Sequence, residues 1–311
     1  MTGRLIGMLM AALLAAMPAA AQKRIALTFD DAPRSAGAFL TLDQRTVKLI
    51  AALHRAGVTQ AAFFVNPGNL ADAADGVDGV DRLTDYVAAG HVLADHSYSH
   101  PALSKLTPEQ YLADIDRAER WLKGREGYRA WFRYPFLDEG GADKVKRDAV
   151  RAGLKARGLA NGYVTLDGSD WQLEGMTIAA KQAGRAMDMA ALRTLYVDMM
   201  MQGVETHYAN AQKVFGTRQP IHVMLMHETD IAALFIEDFV KALKAKGWTI
   251  ATADAAYADP LGRVATDPAH ANGTLTGQIA QTRGIGGLAS PPLGDAKAAQ
   301  AAFDTRVLTR R

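Results

Sequence analysis

From residue 24 onward, short runs rich in β-branched and aromatic residues alternate with longer stretches whose apolar positions recur every three to four residues. No other feature constrains the fold as much, because strands joined by helical crossovers build a parallel sheet or barrel with helices packed on it. Strands are expected at about 24–30, 61–65, 91–95, 130–134, 162–166, 221–227 and 248–251. Helices are expected at 41–56, 107–123, 144–157 and 231–246, where the apolar period is clearest. Thr107-Pro108-Glu109-Gln110 marks a helix start, with a hydroxyl N-cap, proline at the first helical position and Gln110 placed to complete a capping box.

Two segments break the rhythm. Residues 172–220 favour helix over a length where one crossover helix would suffice, so an added helical segment beside the site is expected, with Met199-Met200-Met201 serving as helix packing. Residues 259–311, rich in Gly, Ala, Thr and Pro without sustained apolar periodicity, read as a loosely packed or disordered tail.

At the other end, Arg4 precedes the apolar Leu5 to Met17 and the small residues Ala19-Ala20-Ala21. This is the pattern of an export signal, expected at 1–21 and cleaved after Ala21, since the apolar run is shorter than the ~20 residues that span a bilayer. The mature chain is then exported to the periplasm or the medium without stable membrane insertion. Lys+Arg 35 against Asp+Glu 33, both signs mixed, argue against nucleic acid as a partner. There is no cysteine, so a bound metal would need His, Asp or Glu.

Unusual polar residues gather at the C-terminal ends of the expected strands, which converge on one face of a parallel barrel. Asp30-Asp31 ends the first strand, His96 to His100 follows the third, Arg133 ends the fourth, Asp167 and Asp170-Trp171 follow the fifth, and His227 ends the sixth. His96 and His100 are four apart and share a face if their turn is helical. With Asp31 they make a two-histidine, one-carboxylate set that leaves positions open for water and substrate, with zinc the default metal. The alternatives are surface histidines and a solvated Asp-Asp turn. A glycosidase pair at Asp30-Asp31 is disfavoured because neighbours on a strand point to opposite faces. Both can serve one site only if the strand bends at its end, for which Ala32-Pro33 is suited. His227 alternates with Val223 and Leu225 and reads either as an acid–base group or as a hydrogen-bonded core histidine.

Thr28-Phe29-Asp30-Asp31, His96-Ser97-Tyr98-Ser99-His100, Arg133-Tyr134-Pro135-Phe136, Asp167-Gly168-Ser169-Asp170-Trp171 and Leu225-Met226-His227, in this order, resemble the polysaccharide deacetylase family, the NodB-like carbohydrate esterases of family 4. The resemblance covers about residues 23–257 and places a NodB-like domain at 22–258. It implies an α/β fold, a distorted (β/α) barrel of the NodB-homology type forming a single domain with the added helical segment. It further implies metal-assisted hydrolysis of acetyl groups.

By the same resemblance Asp31, His96 and His100 would hold one divalent metal, zinc with cobalt or nickel as alternatives. Asp30 would be the base, Arg133 its holder, His227 the acid and Asp170 the group polarising that imidazole. Trp171, Phe136 and Tyr134 would contact an acetylated carbohydrate, with the Phe136 amide as an oxyanion donor. Ala32, Tyr134 and Leu137 depart from the family's usual residues at the groove. The expected function is an exported, metal-dependent deacetylase acting on an N-acetylated glycan such as peptidoglycan or a chitin-like oligosaccharide. The alternatives are an esterase for O-acetylated, xylan-type polysaccharide, a hydrolase of another non-peptide carbon–nitrogen bond, and a catalytically silent carbohydrate-binding protein.

Overall fold

The computed structural model describes residues 22–71 and 79–309, so the expected export signal lies outside the described residues. Strand β1 (Lys23–Ala32) is the spine of the sheet, since both its edges are taken. It is followed in chain order by β2 (Ala62–Val65), β3 (Val92–Asp95), β4 (Tyr128–Phe132), β5 (Asp138–Gly141), β6 (Ala160–Asn161), β7 (Leu166–Asp167), β8 (Ile221–His227), β9 (Trp248–Ile250) and β10 (Ala271–Asn272). Eight of these form one parallel sheet in the order β6-β4-β3-β2-β1-β8-β7, with β9 on the start of β1. β8 pairs with Arg24 through Asp30, so β9, opposite Lys23 to Ile25, takes the other edge before β2 begins opposite Thr28. The remaining two, β5 and β10, form a small antiparallel pair.

The single strand expected at 162–166 is split. β6 pairs with β4 and β7 with β8, so one short stretch of chain joins the two ends of the sheet. Between them the Gly162 amide donates to Phe132 O and the Thr165 amide to Val223 O. This is the distorted (β/α) barrel expected from the sequence, its distortion set by a chain that must leave one strand to reach the next.

The helices are α1 (Leu42–Arg55), α2 (Gly79–Ala88), α3 (Pro108–Leu122), α4 (Lys144–Ala156), α5 (Asp170–Gln182), α6 (Met189–Phe215), α7 (Asp230–Ala245), α8 (Ala253–Tyr257), α9 (Leu275–Thr282) and α10 (Ala296–Arg306). The four expected from periodicity, α1, α3, α4 and α7, start and stop within two residues of expectation, and capping boxes at Thr41/Gln44 and Thr107/Gln110 fix two of the starts. The stretch 172–220 is occupied by α5 and the 27-residue α6, with Met199 and Met200 buried as packing residues. No described helix is long and apolar enough to cross a membrane.

Alternation along β1 separates core from chemistry. Ile25, Leu27 and Phe29 enter the main apolar core with residues of α1, α6 and α7, whereas Ala26, Thr28 and Asp30 lie on the opposite face. In β8, likewise, Met224 and Met226 join the main core while Val223 and Leu225 share the face of His227.

The expectation of a loose tail is corrected. α9 and α10 pack onto the barrel through the buried Leu275, Ile279, Ala299, Phe303 and Val307. Only one or two apolar residues per turn are needed to dock short, alanine-rich helices, too few to register as periodicity.

The close fit of α6 places the turn after β7, which carries Asp170. A Cβ on Gly203 would lie 2.2 Å from Asp167 O and 2.7 Å from Gly168 Cα. Gly203→Ala is therefore expected to destabilise the protein by about 1–3 kcal/mol, read as a lower urea midpoint.

Candidate active site

A buried guanidinium organises the site from below. Arg133, at the end of β4, ion-pairs through Nη1 with Asp30 Oδ1, and the same nitrogen reaches Thr28 Oγ1 at 2.8 Å. Its Nε donates to Gly162 O at 2.7 Å and its Nη2 to Tyr257 Oη at 2.7 Å, while the guanidinium lies 3.8 Å above the Phe64 ring. Burial pushes the Asp30 carboxyl up from its ordinary range, against the pull of Arg133 and His227. A carboxylate so placed is a stronger base than one in water.

Asp31 shares the site because the strand turns at that residue. Its φ is +65°, and the pairing of β1 with β2 shifts register between Phe29 and Ala32. The bend thus falls at Asp31 itself, one residue before the Ala32-Pro33 pair expected to cause it. Asp31 Oδ1, buried and without a hydrogen-bond partner, lies 3.2 Å from His100 Nε2 and 3.6 Å from His96 Nε2. His96 Nε2 is also 3.6 Å from Asp30 Oδ2.

These three ligand atoms lie within 4.8 Å of one another. The histidine pair converges without a helix. Ser97 and His100 both have positive φ, at 68° and 56°, and the His100 amide donates to Ser97 Oγ at 3.1 Å. Burial holds both imidazoles down to about 4, so at neutral pH they are uncharged donors. His96 Nδ1 is 2.9 Å from Arg133 O, a contact that needs the proton on Nδ1 and leaves the Nε2 lone pair free. Burial raises the Asp31 carboxyl and its neighbours, led by His227, His96 and His100, outweigh this, so it stays below the usual range. One carboxylate, two neutral imidazoles and an orphaned buried oxygen fit a divalent cation.

His227 stands at the end of β8 with Nδ1 2.8 Å from Asp170 Oδ1, and its backbone amide donates to Asp170 Oδ2 at 2.8 Å. Burial works to depress this imidazole, but Asp170, Asp31 and Asp30 outweigh it and lift it to about 9.

Trp171, adjoining Asp170, is 49% exposed, and Phe136 is 67% exposed with its ring 4.5 Å from that of His100. Tyr134 is a correction. It is buried at 3% exposure and packs with Tyr111 and Phe132 in an apolar cluster, because alternation past Arg133 sends the next side chain the other way.

Several residues of the site escape sequence reasoning. Arg34 ion-pairs with Asp31 Oδ2, and its backbone amide donates to Glu228 Oε2 at 2.7 Å. Arg45, paired with Asp230 at 2.8 Å, donates to the carbonyls of Arg34 and Ser35 and so pins the loop after β1. Asp114 accepts from the Tyr98 and Ser99 amides and from Ser99 Oγ, and Asn66 donates to His96 O and Ser97 O. An acid on the apolar stripe Tyr111, Ile115, Ala118 of α3 is the one signal that could have revealed such a support.

Strand-end acids, neutral histidines and an acid-held imidazole on a parallel barrel define a hydrolase-like site. Residues 18–157 match the model of the polysaccharide deacetylase family, to which that part of the chain is similar. No curated protein sequence matches the chain.

Among solved structures, a family 4 carbohydrate esterase from Streptomyces lividans is 21% identical, with 75% of this chain and 95% of that chain covered and a TM-score of 0.48. The peptidoglycan deacetylase PdaC from Bacillus subtilis is 21% identical, with 74% and 88% covered and a TM-score of 0.48. A CE4 family pseudoenzyme from Bacillus anthracis is 16% identical, with 74% and 64% covered and a TM-score of 0.51. A fold shared with a pseudoenzyme leaves the chemistry to the side chains.

In the metal-free protein, an NMR titration of His227 is expected to give a midpoint near 9. Asp170→Asn should move that midpoint down, since it removes the largest charge opposing burial. An unchanged midpoint would contradict the assignment of the pair.

Proposed function

We propose that the protein is an exported, metal-dependent deacetylase that removes acetyl groups from an N-acetylated glycan, of the peptidoglycan or chitin-like class. One observation carries this reading. Asp30, buried and held by Arg133, and His227, held by Asp170, meet at the Asp31–His96–His100 set, an arrangement that binding alone does not require. Export rests on the apolar run and small residues of the first 21 positions.

Asp31, His96 and His100 would hold the cation. When bound, a divalent cation polarises a carbonyl and lowers the pKa of water, with zinc the best match to this donor set. Asp30 then accepts the proton of the attacking water, its Oδ2 remaining available while Oδ1 is engaged by Arg133. His227, raised to about 9, is protonated at neutral pH and can give a proton to the departing amine, which leaves poorly as an anion. The Phe136 amide offers a backbone donor to the oxyanion, while the Phe136 and Trp171 rings can stack on sugar faces.

Mature protein stripped with chelator is expected to release no acetate from acetylated glycan oligomers, and activity should return on adding zinc, cobalt or nickel. Asp31→Ala and His100→Ala should lose metal and activity together, whereas Asp30→Asn should keep the metal and lose about 10²–10⁴-fold in kcat. Retained activity in Asp30→Asn would refute its role as base.

His227→Ala should cost more on an amide than on an acetyl ester, whose alkoxide leaves with less help. Amide hydrolysis should fall on the alkaline side as the acid form of His227, raised by Asp170, is lost, and Asp170→Asn should move that fall to lower pH. Acetate released only from esters would make the protein an O-acetyl esterase, and metal binding without acetate from either would favour a silent binding protein.

A further inference from the structure

The two exposed aromatic residues beside the site are held from outside the barrel. Phe136 and Leu137 both have positive φ, at 58° and 51°, which residues with a Cβ keep only where the surroundings impose it. Those surroundings come from the C-terminal segment. The Gly273 amide donates to Leu137 O at 3.1 Å, and β10 pairs with β5, with Asn272 opposite Asp138 and Ala271 opposite Gly141. Beneath that ribbon the buried Glu139 accepts from Gln278 Nε2 of α9 at 2.6 Å and from Arg151 at 2.7 Å. The buried Arg147 adds a bond to Pro268 O at 2.8 Å.

Farther along, the same segment reaches α6 and the start of α5, next to Trp171. Asn210 of α6 makes a reciprocal pair with the backbone of Ala289, at 2.8 and 2.9 Å. Gln172 Nε2 then donates to Gly294 O at 3.1 Å, one residue from Trp171. The segment is locked at its end by α10, whose Phe303 is buried and whose following Val307 O accepts from the Asp188 amide at 2.8 Å.

We propose that residues 266–309 are a positioning strap for the substrate groove, holding Phe136 at one wall and Trp171 at the other so that the site favours an extended glycan over a small acetyl ester. The inference rests on the deacetylase reading above. It assigns the strap to neither proton transfer nor metal binding, since its contacts end on Leu137 and Gln172, the residues next to the two aromatic side chains.

The test uses full-length Gln278→Ala and Asn210→Ala, with Gln172→Ala as a milder variant should either fail to fold. Steady-state kinetics compare an acetylated glycan oligomer with 4-nitrophenyl acetate, and hydrogen exchange is followed at 134–141 and 168–173. KM for the oligomer is expected to rise about tenfold, while kcat on the small ester stays within about twofold. Exchange should quicken at 134–141 in Gln278→Ala and at 168–173 in Asn210→Ala and Gln172→Ala.

A parallel fall on both substrates would overturn the strap and leave those residues a general role in stability. Unchanged exchange at both walls would also overturn it. If the unaltered protein released acetate from neither substrate, the deacetylase reading would fail, and the exchange measurement would still decide whether the segment holds the walls.

Discussion

The ion pair between Arg133 and Asp30 is the interaction on which the site depends. Both side chains are almost fully buried, and removing one partner of such a pair typically costs ~3–5 kcal/mol because the other is left charged in a poor solvent. The protein meets that cost with Thr28, Gly162 and Tyr257, which accept from further guanidinium donors, and with Phe64 beneath the cation. Through these contacts Arg133 ties β1 to β4, to the break between β6 and β7, and to α8. Its carbonyl also orients His96. One residue thus places the candidate base and sets the tautomer of a candidate metal ligand.

Around that pair the backbone is strained in a patterned way. The non-glycine residues with positive φ among those described are Asp31, Ser97, His100, Phe136, Leu137 and Ser169, and every one lies in a strand end or loop that builds the site. Each such conformation persists only when neighbours over-determine it. Asp95, Asp114 and Asn66 do so for the histidine loop, and Arg45 and Glu228 for the loop after β1, while Asp167 accepts from the Ser169 amide before α5. The buried acids behind the site are the supports of this strain, which explains why so many charges lie inside a barrel whose residues could otherwise have been apolar.

Much of this was legible in the sequence. α1, α3, α4 and α7 bury one face against a sheet, so their apolar period and capping boxes announced them. Asp30, Asp31, His96, His100, Arg133, Asp170 and His227 could be picked out because polar residues directly after buried strands are costly unless used. Tyr134 was misplaced, although alternation past Arg133 already directs it into the cluster that holds Phe132. Glu228 was equally hidden, because it acts through the backbone amide of Arg34 in a distant segment and no spacing records that, whereas Asp114 left only its place on the apolar stripe of α3 as a trace. The segment after residue 259 was misread for the same reason. Its anchors, Phe303 and Val307 among them, are sparse, and their partners lie on α5, α6 and β5.

By itself the sequence determined the alternation of strands and helices, the faces that each buries, and the residue types available for chemistry, because these follow from local periodicity and the cost of burying charge. Only the tertiary structure decided that His96 and His100 converge through two left-handed turns rather than a helix, and that one expected strand splits to close the barrel. It also decided that a polar, alanine-rich end of the chain folds back onto Leu137 and Gln172, the residues that follow the two exposed aromatics beside the site. Such outcomes rest on contacts between separate segments, from 15 to 139 residues apart, whose free energies come from burial and hydrogen bonding after the chain has collapsed, and no local pattern encodes them.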